Sequence, residues 1–162
     1  MPDPGRALGV DLGDVRIGVA ISDDARRLAV PLGTVHVGRP PGELKAIAEL
    51  VRENDVSIVV VGLPLSLDGG RGGRAMHAEA FAEGLRAVVG VPVVLQDERL
   101  TTVEAERGLR EAGVSGRDRK AVVDAEAARI LLQAWIDTAA GRASLQRLRC
   151  GIPDVSPQYV SG

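Results

Sequence analysis

Residues 56–61, Val-Ser-Ile-Val-Val-Val, form a nearly continuous apolar run. A strand with one face in water alternates apolar and polar residues. This one barely alternates, so it reads as a strand buried on both faces of a sheet. Burial on both faces calls for covering helices, which sets the class as α/β.

The rest of the chain supplies the partners. Residues 7–12 and 16–22 read as two strands joined by a turn at Gly13-Asp14-Val15. A third strand spans 28–37 and is broken near Pro31-Leu32-Gly33. Helical periodicity follows at Leu44, Ile47, Ala48 and Val51. After the 56–61 strand come a Gly-rich loop at 62–74, a helix over about 75–89 and a strand at 91–96. Thr101-x-x-Glu104 fits a capping box opening a third helix to about 112. A long helix then runs from about 119 to 140.

The order is β-β-β-α-β-α-β-α-α. Three opening strands pair as an antiparallel meander, and later strands join by crossovers as parallel ones. This predicts one domain, residues 1–140, built on a five-stranded mixed sheet with helices on both faces and residues 7–12 central. Residues 141–162 lack periodicity and are expected to form a flexible tail.

Composition narrows the function. Aromatic residues are 2% of the chain, so the core must be built from Val, Leu, Ile and Ala, and stacking platforms for bases are scarce. Net charge is −2, which is not the excess of a protein that coats nucleic acid. Nucleic-acid contact would have to use local clusters, such as 107–120 with Arg107, Arg110, Arg117, Arg119 and Lys120, or the pair Arg71 and Arg74. A solvated surface explains the same residues. The one cysteine, Cys150, excludes an internal disulfide, and His36 and His77 show no ligand spacing. No apolar run approaches the ~20 residues of a spanning helix. These features predict a cytoplasmic protein without a membrane partner, either monomer or homodimer.

Three carboxylates stand out. Asp11 interrupts a mid-sheet strand and shares a face with Ala7 and Gly9. On the second strand Gly18, Ala20 and Ser22 also share a face. Set on Asp11's side, these small residues would leave open space over a carboxylate held on a rigid platform. The alternative is an Asp that begins the Gly13 turn. Glu98 follows a strand expected to be parallel, at the carboxyl end where ligands of α/β sheets bind, though it could also begin a solvated loop. Asp124 shares a helical stripe with Ala128, Leu131 and Trp135. A carboxylate on a sheet-facing stripe is costly unless paired or cation-bound. The alternative is a helix-start Asp favoured by the macrodipole. Together they make a set of hard oxygen ligands, suited to Mg²⁺ or Mn²⁺ rather than zinc.

Four segments carry a resemblance. They are Gly9-Val10-Asp11-Leu12-Gly13-x-x-Arg16-Ile17-Gly18-Val19-Ala20-x-Ser22-Asp23, Val61-Gly62-Leu63-Pro64-Leu65-x-x-Asp68-Gly69, Asp97-Glu98-Arg99-Leu100-Thr101-Thr102 and Asp124-x-x-Ala127-Ala128. In this order they resemble the YqgF/RuvX family, described as Holliday junction resolvases or pre-16S rRNA nucleases. The resemblance covers about residues 7–136 and implies an RNase H-like fold. It implies catalytic and metal-binding roles for Asp11, Glu98 and Asp124, and phosphate contacts for Arg16, Arg99 and Lys120. It implies in-line hydrolysis of a phosphodiester in RNA or branched DNA with two metal ions, leaving 5′ phosphate and 3′ hydroxyl ends. Residues 65–74 depart from the family, which usually has Asn-Met before the Asp and fewer glycines. An ATP-handling fold of the actin/Hsp70/hexokinase type also opens with Asp-x-Gly on a strand, but needs two such domains. A non-catalytic RNA-binding module remains an alternative.

Overall fold

Alternation in the first strand, β1 (Arg6–Leu12), decides the layering of the whole molecule. The computed structural model describes residues 5–13, 15–38, 42–64, 72–97, 116–138, 141 and 159–160. The other elements are β2 (Arg16–Ser22), β3 (Ala29–His36), α1 (Gly42–Glu53), β4 (Val56–Leu63), α2 (Gly73–Val89), β5 (Val93–Asp97), α3 (Gly116–Asp137) and β6 (Tyr159–Val160). The sheet order is β3-β2-β1-β4-β5-β6. β1 pairs antiparallel with β2 and parallel with β4, so it is central as expected. β2 pairs antiparallel with β3, and β4 parallel with β5. This is the mixed sheet of the RNase H-like fold.

Leu8 and Val10 of β1 point into one core with Ile17, Val19 and Ile21 of β2. That core is closed by Ile47 and Val51 of α1 and by Ala75, Ala78, Phe81, Ala82 and Leu85 of α2. Ala7 points to the opposite face, where α3 covers the sheet with Ala128, Leu131, Leu132, Trp135 and Ile136. The run in β4 divides between the two, Val59 and Val61 to one core, Ile58 and Val60 to the other. A strand buried on both faces must be apolar throughout, which is why it showed so plainly in the sequence. Burying each Val, Leu or Ile stabilises the fold by about 1.5–3 kcal/mol relative to exposure.

Two differences from expectation have simple causes. The interruption in β3 is a bulge rather than a break. Val19 pairs with Gly33 and Ala20 with Pro31, leaving Leu32 as the extra residue. β3 is an edge strand, where a proline's missing donor costs no ladder bond. The sheet also gains a sixth, two-residue strand, as Tyr159 and Val160 pair parallel with Leu95 and Gln96. Most of the expected tail, and the helix expected from Thr101 to about 112, lie outside the described residues.

Candidate functional site

At the carboxyl end of β1, Asp11 pairs directly with Gly18 of β2. On its other side Val10 pairs with Val61, which brings Gly62 next to Asp11, and Gly62 pairs with Gln96 of β5. The row Gly18, Asp11, Gly62, Gln96 therefore crosses four strands on the face that α3 covers. Two glycines flank the carboxylate.

The glycines of β1 and β2 on this face do not simply leave open space. A Cβ on Gly18 would overlap the carbonyl oxygen and carbon of Asp124 and lie 3.1 Å from the Ala125 nitrogen. A Cβ on Gly9 would lie 2.8 Å from the Leu132 Cβ and 3.0 Å from the Ala128 carbonyl oxygen. The helix backbone thus lies directly on β1 and β2. Absent side chains admit α3, and α3 brings Asp124 over the residue paired with Asp11.

The Asp124 carboxylate has a definite partner. Arg16 Nε donates to its Oδ2 at 3.1 Å, with side chains 20% and 29% exposed. Arg16 precedes Gly18 by two on β2 and so shares its face. Asp11 and Asp124 thus sit on neighbouring elements with a guanidinium beside them. The pair spans 108 residues of sequence, and no local pattern announces it.

The remaining expected site residues fall wholly or partly outside the described residues. Glu98 and Arg99 lie outside the described residues; β5 ends at Asp97, the residue before Glu98. Lys120 belongs to α3, and its side chain is outside the description. Among the described residues no group of three His, Cys, Asp or Glu side chains is gathered for a metal. Two of the three expected oxygen ligands, Asp11 and Asp124, stand on neighbouring elements, and both are hard donors of the kind Mg²⁺ and Mn²⁺ prefer.

Gln96 was missed in the sequence. Its side chain is fully buried in the row of Asp11, Nε2 reaches the Asp97 carbonyl at 3.4 Å, and Oε1 has no partner among the described residues. The available signal was a polar residue directly continuing the apolar run Val93-Val94-Leu95. Buried orphan acceptors are rare, and functional sites are one place they persist.

Ser22 and Asp23, part of the first motif, serve the hairpin instead. Ser22 Oγ accepts the Ala7 N–H at 2.8 Å and donates to the Asp23 carbonyl at 2.9 Å. Asp23 Oδ1 accepts the N–H groups of Arg27 at 2.7 Å and Leu28 at 3.0 Å. Burial raises the Asp23 pKa, but these backbone donors outweigh it and hold the carboxyl below its ordinary value. Both residues lie at the end of β2 opposite Asp11. No described helix is long and apolar enough to cross a membrane.

A family model described as RuvX, Holliday junction resolvase, matches residues 5–138. A relative in Anaeromyxobacter sp. (strain Fw109-5) is 52% identical over 132 residues, covering 82% of this chain and 96% of its own. One in Mycobacterium leprae (strain TN) is 52% identical over 137 residues, covering 84% of this chain and 74% of its own. Both bear the name "Putative pre-16S rRNA nuclease". Among solved structures, T. thermophilus RuvC in complex with Holliday junction substrate aligns at 18% identity and a TM-score of 0.49, covering 83% of this chain and 97% of its own.

Proposed function

The chain belongs to the RuvX family, and on that premise we propose that it is a divalent-metal-dependent nuclease acting in 5′-end processing of pre-16S rRNA in the cytoplasm. The observation that carries the reading is the seat of Asp124 against Gly18, beside Asp11. The Asp124 carboxylate is held by Arg16 on the helix turn that covers the residue paired with Asp11, and negative charge gathered at one strand end favours a bound cation. A site with that property at the carboxyl edge of a parallel sheet is suited to holding a metal against a phosphodiester.

Asp11, Asp124 and Glu98 would hold Mg²⁺ or Mn²⁺. When bound, such ions polarise the phosphoryl oxygens and ease water's attack and the departure of the leaving oxygen. The protein's own part is to fix the carboxylates. Asp11 is held by its pairing with Gly18 of β2, and Asp124 by a helix whose backbone touches β2. Arg16 offsets the charge of Asp124 through Nε. A guanidinium carries five N–H donors, so Arg16 can hold Asp124 and still meet an incoming phosphate. Arg99 and Lys120 would add local positive charge that the net charge of −2 does not supply.

The family description favours a second reading, resolution of branched DNA. The two separate on substrate. Purified protein should cut a labelled RNA spanning the 5′ end of 16S rRNA, with Mg²⁺ or Mn²⁺, faster than a labelled four-way DNA junction. Cleavage of the junction with the RNA left whole would shift the assignment to resolvase. Tight binding of either with no cleavage would leave a binding module.

A further inference from the structure

We propose that the cavity between the end of β1 and the start of α2 holds a backbone phosphate flanking the one that is cut. This rests on the nuclease reading and adds a second contact to it. The cavity has a volume of about 130 Å³ and is lined by Leu12, Gly13, Pro64, Gly73, Arg74 and His77. Pockets for whole small-molecule ligands run to about 300–1,000 Å³, so this one suits a single small group and not a nucleoside.

Its chemistry suits an anion. Arg74 and His77 stand three apart on α2, a spacing that puts them on one face. Both are exposed, and neither makes a hydrogen bond or ion pair among the described residues. Four other arginines are committed to ion pairs, Arg6 with Asp24, Arg16 with Asp124, Arg86 with Glu83 and Arg129 with Glu126, and among the described arginines only Arg74 lines this cavity. Arg74 offers a planar set of donors matched to phosphate, and the His77 ring supplies an N–H donor even when neutral. The opposite wall, Leu12, Gly13 and Pro64, presents no carboxylate to repel an anion.

Its position connects it to the candidate site. Leu12 and Gly13 directly follow Asp11. Asp11 faces α3, whereas Leu12 packs with the core under α1 and α2. The end of β1 is therefore a ridge with the carboxylates on one flank and the Arg74–His77 cavity on the other. A strand laid over that ridge would place one phosphate at Asp11 and a neighbouring one in the cavity. The contact reads backbone and not base, so it adds affinity and register without sequence preference.

The test is binding of a short fluorescein-labelled RNA strand to the full chain in Ca²⁺, followed by anisotropy across a salt series. Arg74→Ala should weaken binding about tenfold, as loss of a hydrogen bond to a charged group does. It should also flatten the salt dependence by about one phosphate contact. His77→Ala should weaken binding by less, and Arg74→Lys should restore most of the salt slope. Arg52→Ala, which removes the same charge from an exposed position on α1, should match wild type. Affinity and salt slope unchanged in Arg74→Ala, an equal loss in Arg52→Ala, or no RNA binding by wild type would each overturn the proposal. A parallel cleavage assay separates the two ideas. Loss of binding in Arg74→Ala with an inactive wild type removes the nuclease and keeps the phosphate contact. An active wild type with an indifferent Arg74→Ala does the reverse.

Discussion

Asp11→Asn should lose about 10³-fold in single-turnover cleavage, or about 4 kcal/mol of transition-state stabilisation. The substitution keeps the size and shape of the side chain and removes the charge that would hold a divalent ion, which is worth several kcal/mol to phosphoryl transfer. Asp11 is only partly buried, so the fold should tolerate the change. Substrate binding should persist, because a carboxylate repels phosphate and an amide does not. Asp24→Asn is the control. Asp24 is exposed beside Gly5, whose N–H bonds to its carbonyl, at the far end of β1. At about 3.3 Å per strand residue that end lies about 20 Å from Asp11. Asp24→Asn should cut at the wild-type rate. Equal rates for Asp11→Asn and wild type would mean that the site is wrongly assigned, whatever the activity proves to be.

Gly18→Ala should lower both stability and activity. The added methyl overlaps the Asp124 carbonyl, which is helix backbone and has no rotamer to escape into. Either α3 lifts from β2 or the strand bends. Overpacking of this kind costs about 1–3 kcal/mol. The displaced element carries Asp124, and a shift of about 1 Å at a catalytic group costs on the order of 10²-fold in rate. Gly42→Ala makes the useful comparison, since nothing lies within 4 Å of the added methyl there. It should leave the urea midpoint and the rate close to wild type. If Gly18→Ala retains both, the close seat of α3 on the hairpin does not hold.

Much of this arrangement could be read from the residues. The run in β4 could only be a doubly buried strand, and alternation in β1 and β2 sorted large from small residues onto opposite faces. That placed Asp11 on the small face, and the stripe Asp124, Ala128, Leu131 and Trp135 turned α3 toward the sheet. What escaped was contact between distant segments. A face of glycine and alanine reads equally well as room for a ligand or room for a helix, and only the packing shows that α3 fills it. The Arg16–Asp124 pair carries no local signature, because its members stand 108 residues apart and the stripe that marks Asp124 does not name its partner. Gln96 looked like the polar end of a strand, and its place in the row of Asp11 depends on the register of three pairings. A bulge such as that at Leu32 leaves the same trace as a strand end, a proline and a glycine in a short span.

The most direct test of the central claim is the metal dependence of cleavage by the wild-type protein. Single-turnover cutting of the labelled 16S precursor RNA should appear with Mg²⁺ or Mn²⁺, vanish in excess EDTA, return when either ion is restored, and resist a zinc-selective chelator. Full activity in excess EDTA, or no cutting of RNA or junction with any divalent ion, would contradict the account.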